Sequence, residues 1–255
     1  MNIGVISKSV AAIRREPSET SEMVNQMLFG ESFDILEAYN GWLRIVGHFD
    51  GYYGWVDSKL TNSSENHSFS KQSKVANRLF WAKEDDSEHP LLICPGSNLN
   101  EYSEPNFKCG ETVFKQIDSP FFPTPENKSE EIELLAKSYI NSPYLWGGRS
   151  PLGIDCSGLV QVVYKIVGIN LPRDASQQVE IGHTVEFIDH VQKGDLAFFD
   201  NDEGAITHVG IIIDEGSIIH SSGFVRMDKF DHQGIFNVQT GNYSHKLRVI
   251  KRVLN

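Results

Sequence analysis

Apolar residues in the first sixty positions come in short runs separated by turn residues. Val5, Ala11 and Ile13 lead to Pro17-Ser18. Met27-Leu28-Phe29 runs into Gly30-Glu31, and Phe33, Ile35 and Leu36 run toward Asn40-Gly41. Trp42, Leu43, Ile45 and Val46 precede Asp50-Gly51, and residues 52–56 close the series. Strand-sized runs about ten residues apart, punctuated by Gly, Asn and Asp, predict a small β-barrel over residues 1–60. Residues 61–70, TNSSENHSFS, are polar without periodicity and read as a linker. Residues 71–125 hold weaker strand signals at 75–76, 79–82, 91–94 and 113–114, consistent with a second, degenerate barrel or a connector. Pro120, Pro123 and Pro125 then stiffen the chain, because each fixes its own φ and disfavours helix in the residue before it.

The period changes at residue 127. Asn127 with Glu130 forms a cap pair, and Ile132, Leu135, Ala136 and Tyr139 follow at i, i+3, i+4, i+7, the spacing of one helix face. After Gly147-Gly148 and Gly153, a second helix opens at Cys156. Leu159, Val160, Val163 and Val167 lie on its apolar face, and Gly168 stands just past its end. Strands are predicted at 196–199, 206–213, 217–220 and 248–253, with Asp214-Glu215-Gly216 as a hairpin loop. Helices followed by an antiparallel sheet make residues 127–255 an α+β domain.

Composition narrows the function. The 255 residues, 40% hydrophobic and 22% charged, suit a globular chain of two or three domains. No run approaches the roughly 18 apolar residues of a membrane span. The N-terminus lacks the charged leader and apolar core of a signal peptide, which predicts a cytoplasmic protein. A net charge of −11 leaves no basic stripe for phosphates, so neither nucleic acid nor an anionic membrane is an expected partner, and no obligate protein partner is inferred. The three cysteines cannot all pair within the chain. Low cysteine usage favours a reducing compartment, with Cys94 and Cys109 as buried small hydrophobes.

Cys156 is either a buried structural thiol or a nucleophile, and its position alone leaves both open. It sits where a glycine turn meets a helix start, and helix N-termini offer partial positive charge and free N–H groups. Both favour a thiolate, and the same N–H groups can hold an oxyanion. A thiol nucleophile needs a base. His208, in ITHVGIIID, shares a strand face with Gly210 and Ile212, where it is either a satisfied core histidine or a functional group facing a cleft, and Gly210 leaves room there for a backbone or a ligand. His220 ends the next strand, so the hairpin would bring the two imidazoles together, the second orienting the first. His48, His67, His89, His183, His190, His232 and His245 stand in polar, turn-like contexts and read as surface residues. Asp195 reads as a turn residue.

YLWGGRSPLGIDCSGLVQ, LPRDASQQ, GDLAFF, THVGIII and IIHSSG, in this order, resemble the NlpC family of papain-like cysteine peptidases. The resemblance covers residues 127–255. It implies Cys156 as nucleophile, His208 as base and His220 as orienting residue. Residues 1–60 (IRREPSETSEMVNQMLFGESFDIL, GWLRI, DGYYGWVD) resemble a bacterial SH3-like barrel. One branch of the family carries such barrels before the peptidase domain. It cleaves between γ-D-Glu and the diamino acid of cell-wall peptides that have a free N-terminal L-Ala, releasing L-Ala-γ-D-Glu in muropeptide recycling. The resemblance then implies substrate-binding roles for Tyr144, Asp155, Ser157, Asp174 and Ser176, with Asp155 taking the substrate ammonium. A barrel tyrosine, Tyr52 or its neighbour Tyr53, would close the cleft. Asp174 and Ser176 equally fit helix capping beside Pro172. Lysine and meso-diaminopimelate both remain open.

Three other readings compete. An exported wall hydrolase acting on intact stem peptides predicts a removed leader and a Cys94–Cys109 bridge. A non-catalytic binding module has no need of Cys156, His208 and His220 together. Those three residues could hold zinc, but short-spaced ligand pairs are missing and the thiol at a helix start suits attack better, so no metal or cofactor is expected.

Overall fold

The computed structural model describes residues 2–64, 73–85, 87–238 and 240–254. They form two compact units. The first runs up to Pro123 and also takes Trp146–Ser150; the second comprises Thr124–Leu145 and the chain from Pro151 onward. Among the described residues no helix is long and apolar enough to cross a membrane.

The first unit holds two antiparallel sheets. One has seven strands in the order Met23–Leu28, Val10–Arg14, Tyr53–Asp57, Trp42–Gly47, Ser32–Tyr39, Ile3–Ile6, Thr61–Ser64. The alternation read in the sequence puts Ile6, Ala11, Ile13, Met27, Phe33, Ile45 and Val56 in one core. Thr61–Ser64, expected in the linker, instead pairs with Ile3–Ile6. Its polar side chains hide the strand, because an edge strand needs only backbone groups to pair. The rest of that stretch, with His67, lies outside the described residues.

The second sheet has six strands, from Leu91–Ile93 at one edge to Ser73–Val75 at the other. Its core gathers Phe80, Leu99, Phe107, Cys109 and Phe114, and takes Val5 from the first sheet and Phe29 from the turn after Met23–Leu28. Phe29 meets Phe114 edge-to-face at 5.1 Å between ring centres. Gly30 allows the close approach: at φ +75°, a Cβ there would fall 1.9 Å from the Asn98 carbonyl oxygen. The proline stretch is held in place, with the Asn77 carboxamide accepting from Phe122 N–H and donating to the Phe122 carbonyl. Cys94 and Cys109 are free, fully buried thiols.

The second unit contains α1 (Lys128–Ser138), α2 (Cys156–Ile166) and the short α3 (Ala175–Gln178). Asn127 caps α1 through Ser129 N–H rather than through a reciprocal pair with Glu130, and Ile132, Leu135 and Ala136 are its buried face. The α2 helix is buried along its length from Cys156 to Lys165, not on one face only. The sheet runs Leu196–Asp200, Ile206–Asp214, Ser217–Ser222, Phe224–Asp231, Gly234–Asn237, with antiparallel neighbours throughout. A long strand, Asn242–Arg252, pairs with both Leu196–Asp200 and Gly234–Asn237 and closes the sheet on itself. The last strand thus begins earlier than expected, and Phe224–Asp231 and Gly234–Asn237 are additional. Helices ahead of an antiparallel sheet give the expected α+β architecture.

Candidate active site

Cys156 is the first residue of α2, and Asp155 is its N-cap. The Asp155 Oδ1 accepts from Gly158 N–H at 2.7 Å, satisfying one of the donors a helix start leaves unpaired. Cys156 is 8% exposed. Burial pushes its thiol up to about 12, and the Asp155 carboxylate adds to the rise; the Val209 N–H, Arg173 and the Ser157 N–H act in the opposite direction. The Val209 contact places the sulfur against the strand that carries His208.

His208 and His220 stand on adjacent strands, and the His208 Nε2 lies 2.8 Å from His220 Nδ1. The chain of contacts continues. His220 Nε2 is 3.1 Å from Asp228 Oδ2, and Arg226 donates to Asp228 Oδ1 at 2.8 Å. Burial, with His245 and His220 nearby, holds His208 well below the usual imidazole range. Asp228 is lowered despite its burial, by hydrogen bonds from His220 and Arg226.

His245 overturns its reading as a surface residue. It stacks on His208 with ring centres 4.1 Å apart, and burial beside His220 brings it down to about 4. Its strand starts in polar residues, Asn242-Tyr243-Ser244, which made it look like a turn. His48, His89, His183, His190 and His232 are exposed. The space beside Gly210 is also not free. A Cβ there would meet Ile218 Cδ1 at 2.6 Å and His220 Cβ at 3.1 Å, so the glycine admits those side chains rather than a ligand.

Ring nitrogens of His208, His220 and His245 lie within 4.8 Å of one another, close enough to raise the question of a metal. The geometry does not suit one. His208 and His220 direct a nitrogen each at the other, and the near-parallel stack of His208 on His245, at 23°, keeps one ion from lying in both ring planes.

The expected substrate-binding residues fall in two groups. Asp155 is not an unpaired carboxylate. Arg173, 2% exposed, donates to its Oδ1 at 3.0 Å and its Oδ2 at 2.5 Å. Arg173 also donates to Ser157 Oγ at 2.8 Å, and Ser157 is buried. Gln178 donates to the carbonyls of Ser157 and Pro172, tying α3 to α2. Tyr144 faces this group. Burial raises its phenol to about 12, helped by Cys156 and Asp155, so it remains a donor at neutral pH. Asp174 occupies the N-cap position of α3 without a side-chain cap bond, and Ser176 is exposed on that helix. Tyr52 belongs to the first unit, where it is half-buried and its N–H donates to Asp50; Tyr53 is exposed. Asp195 accepts from Gln192 N–H and Arg252, the turn role expected of it.

Residues 141–244 match the NlpC/P60 family, and residues 13–59 match the bacterial dipeptidyl-peptidase Sh3 domain. The chain carries an NlpC/P60 domain behind a bacterial SH3 domain. It is a peptidase of the papain-like cysteine class. A gamma-D-glutamyl-L-lysine dipeptidyl-peptidase of Bacillus cereus is 28% identical to this chain over 232 residues, 80% of this chain and 68% of the relative. Dipeptidyl-peptidase 6 of Lysinibacillus sphaericus is 29% identical over 247 residues, 87% and 88% of the two chains. A crystal structure of an NlpC/P60 family protein from Bacillus cereus has a TM-score of 0.81 at 22% identity, covering 99% of this chain and 100% of that one, a likeness of fold.

Proposed function

We propose that this NlpC/P60 peptidase hydrolyses the γ-D-glutamyl–L-diamino acid bond of peptidoglycan-derived peptides that carry a free N-terminal L-Ala, releasing L-Ala-γ-D-Glu. The observation that carries the reading is Cys156 at the start of α2, against the strand of a hydrogen-bonded His208–His220 pair and beside the buried Asp155–Arg173 pair. The printed names of the Bacillus cereus and Lysinibacillus sphaericus relatives support the substrate class. A place in cell-wall peptide recycling follows from the demand for a trimmed, free-amine peptide.

Burial raises the thiol and lowers the imidazole, so the resting pair is neutral. In our mechanism His208 takes the Cys156 proton as the sulfur attacks the γ-carbonyl. The Cys156 N–H and the Tyr144 hydroxyl receive the oxyanion. His208 then gives its proton to the leaving amine. Water, deprotonated by the same imidazole, hydrolyses the thioester and frees the thiol.

Asp155 is the group we assign to the substrate ammonium, in addition to Arg173. Because Arg173 keeps the carboxylate paired, an N-blocked peptide does not strand a buried charge. It forfeits one charge-assisted hydrogen bond, about 1.5–3 kcal/mol, or roughly 10- to 150-fold in kcat/KM. The test compares L-Ala-γ-D-Glu-L-Lys with its N-acetylated form, on wild type and Cys156→Ala, reading released lysine. Preferential cleavage of the free-amine peptide, abolished in the variant, supports the reading. Equal cleavage of both peptides moves the protein to the wall hydrolases that act on intact stems, and undiminished activity in Cys156→Ala removes the nucleophile.

A further inference from the structure

We propose that Asp228 is a positioning residue that fixes the proton positions on both imidazoles, so that His208 presents a bare Nδ1 to Cys156. This inference rests on the proposed roles of Cys156 and His208.

An ionised carboxylate only accepts, so with Asp228 Oδ2 at 3.1 Å, His220 must carry its proton on Nε2. A neutral His220 then offers a lone pair at Nδ1. The only group that can fill it across 2.8 Å is an N–H on His208 Nε2. With its proton there, His208 keeps Nδ1 unprotonated, the form able to take a proton from a thiol. The carboxylate is held in turn by Arg226, whose guanidinium lies 2.8 Å from each of its oxygens. Asp228 is 8% exposed, so water does not compete freely for the His220 bond. Nothing local marks Asp228, which stands in an alternating strand, FVRMDKFD, beside other charged residues.

Asp228→Asn separates positioning from scaffolding. The side chain is isosteric, and a carbonyl oxygen at the Oδ1 position keeps the Arg226 Nη2 hydrogen bond, whereas Arg226 Nε stands at ion-pair distance from Oδ2 without a hydrogen bond. The amide NH2 then faces His220 Nε2 and must donate. That moves the His220 proton to Nδ1, which forces His208 Nε2 to accept and puts the His208 proton on Nδ1, the nitrogen that would otherwise take the thiol proton. The base is then in the wrong tautomer.

Two readouts are made on full-length protein labelled with 15N-histidine. Without substrate, long-range 1H–15N correlation spectra give the tautomer of each ring at neutral pH. His208 and His220 should both be Nε2-protonated in wild type and in Asp228→Glu, and Nδ1-protonated in Asp228→Asn. With the γ-glutamyl tripeptide, kcat should fall by about 10²-fold or more in Asp228→Asn with KM within roughly 3-fold of wild type. Its pH profile should change as well. The titratable and charged groups beside the pair, apart from Asp228 itself, are His245 and Arg226, both unaltered by the substitution. Unchanged tautomers in Asp228→Asn overturn the proposal whatever the rate does, and so does a kcat within about 3-fold of wild type. The spectra need no substrate. Failure of wild type to cleave any γ-glutamyl peptide would therefore contradict the proposed reaction while the tautomer result stands or falls separately.

Discussion

Replacing Arg173 with Met should expose the energetics of the buried pair beside Cys156. Arg173 makes three hydrogen bonds there, two to Asp155 and one to Ser157 Oγ, and both charged partners are nearly inaccessible. An exposed ion pair contributes about 0–1 kcal/mol, whereas removing one partner of a buried pair costs about 3–5 kcal/mol, because the remaining charge is left desolvated. Asp155 retains the Gly158 N–H and the Ser157 hydroxyl. We therefore expect a loss near the lower end, about 3 kcal/mol. Urea unfolding can assign that loss to the correct part of the chain. All four tryptophans, Trp42, Trp55, Trp81 and Trp146, lie in the first unit, while α1 and α2 lie in the second. The circular dichroism transition at 222 nm should move to lower urea, and the tryptophan transition should move less. Arg173→Met/Asp155→Asn removes the stranded charge but keeps a cap oxygen, so it should recover part of the loss. A cost under about 1 kcal/mol in the single variant, or a double variant no better than the single, would refute the argument.

Acidification should destabilise the second unit. His245 lies at about 4 when folded and near 6.5 when unfolded, and His208 shifts the same way, so between those values the unfolded chain binds more protons. Stability is then complete above about pH 6.5 and falls as the pH drops toward 4; thermal melts at pH 7 and pH 5 should show this, and His245→Asn should flatten the dependence. In the first unit, Gly30→Ala and Gly41→Ala both place Ala at positive φ, but only the former drives a Cβ into a backbone carbonyl. Gly41→Ala should cost about 1–2 kcal/mol and Gly30→Ala distinctly more, read from the tryptophan transition; equal costs would remove the close approach from the account.

The elements that could be read in the sequence are those whose periodicity is strong and local. Leu159, Val160 and Val163 announce α2, and the alternation of ITHVGIIID announces the His208 strand. Two kinds of information were hidden. Phe224–Asp231 and the start of Asn242–Arg252 alternate with charged or polar residues, so their strands look like turns until the sheet closes around them. That closure is a long-range pairing, and it carries Asp228 and His245 into the histidine cluster. The second kind is the pairing of buried charges. LPRDASQQ marks a helix start, but only the folded chain brings Arg173 onto Asp155 and turns a presumed free carboxylate into a neutral pair. Gly210 went astray for a related reason, since the neighbours that fill its space, Ile218 and His220, come from the next strand.

In the proposed reaction Cys156 carries the dipeptide as a thioester. The most direct measurement is intact-mass analysis of the enzyme, acid-quenched during turnover of L-Ala-γ-D-Glu-L-Lys, followed by mapping of the modified peptide. One L-Ala-γ-D-Glu acyl group is expected, located on the segment that contains Cys156 and absent from Cys156→Ala. Turnover of the tripeptide that persists in Cys156→Ala, or an acyl group on another residue, would contradict it.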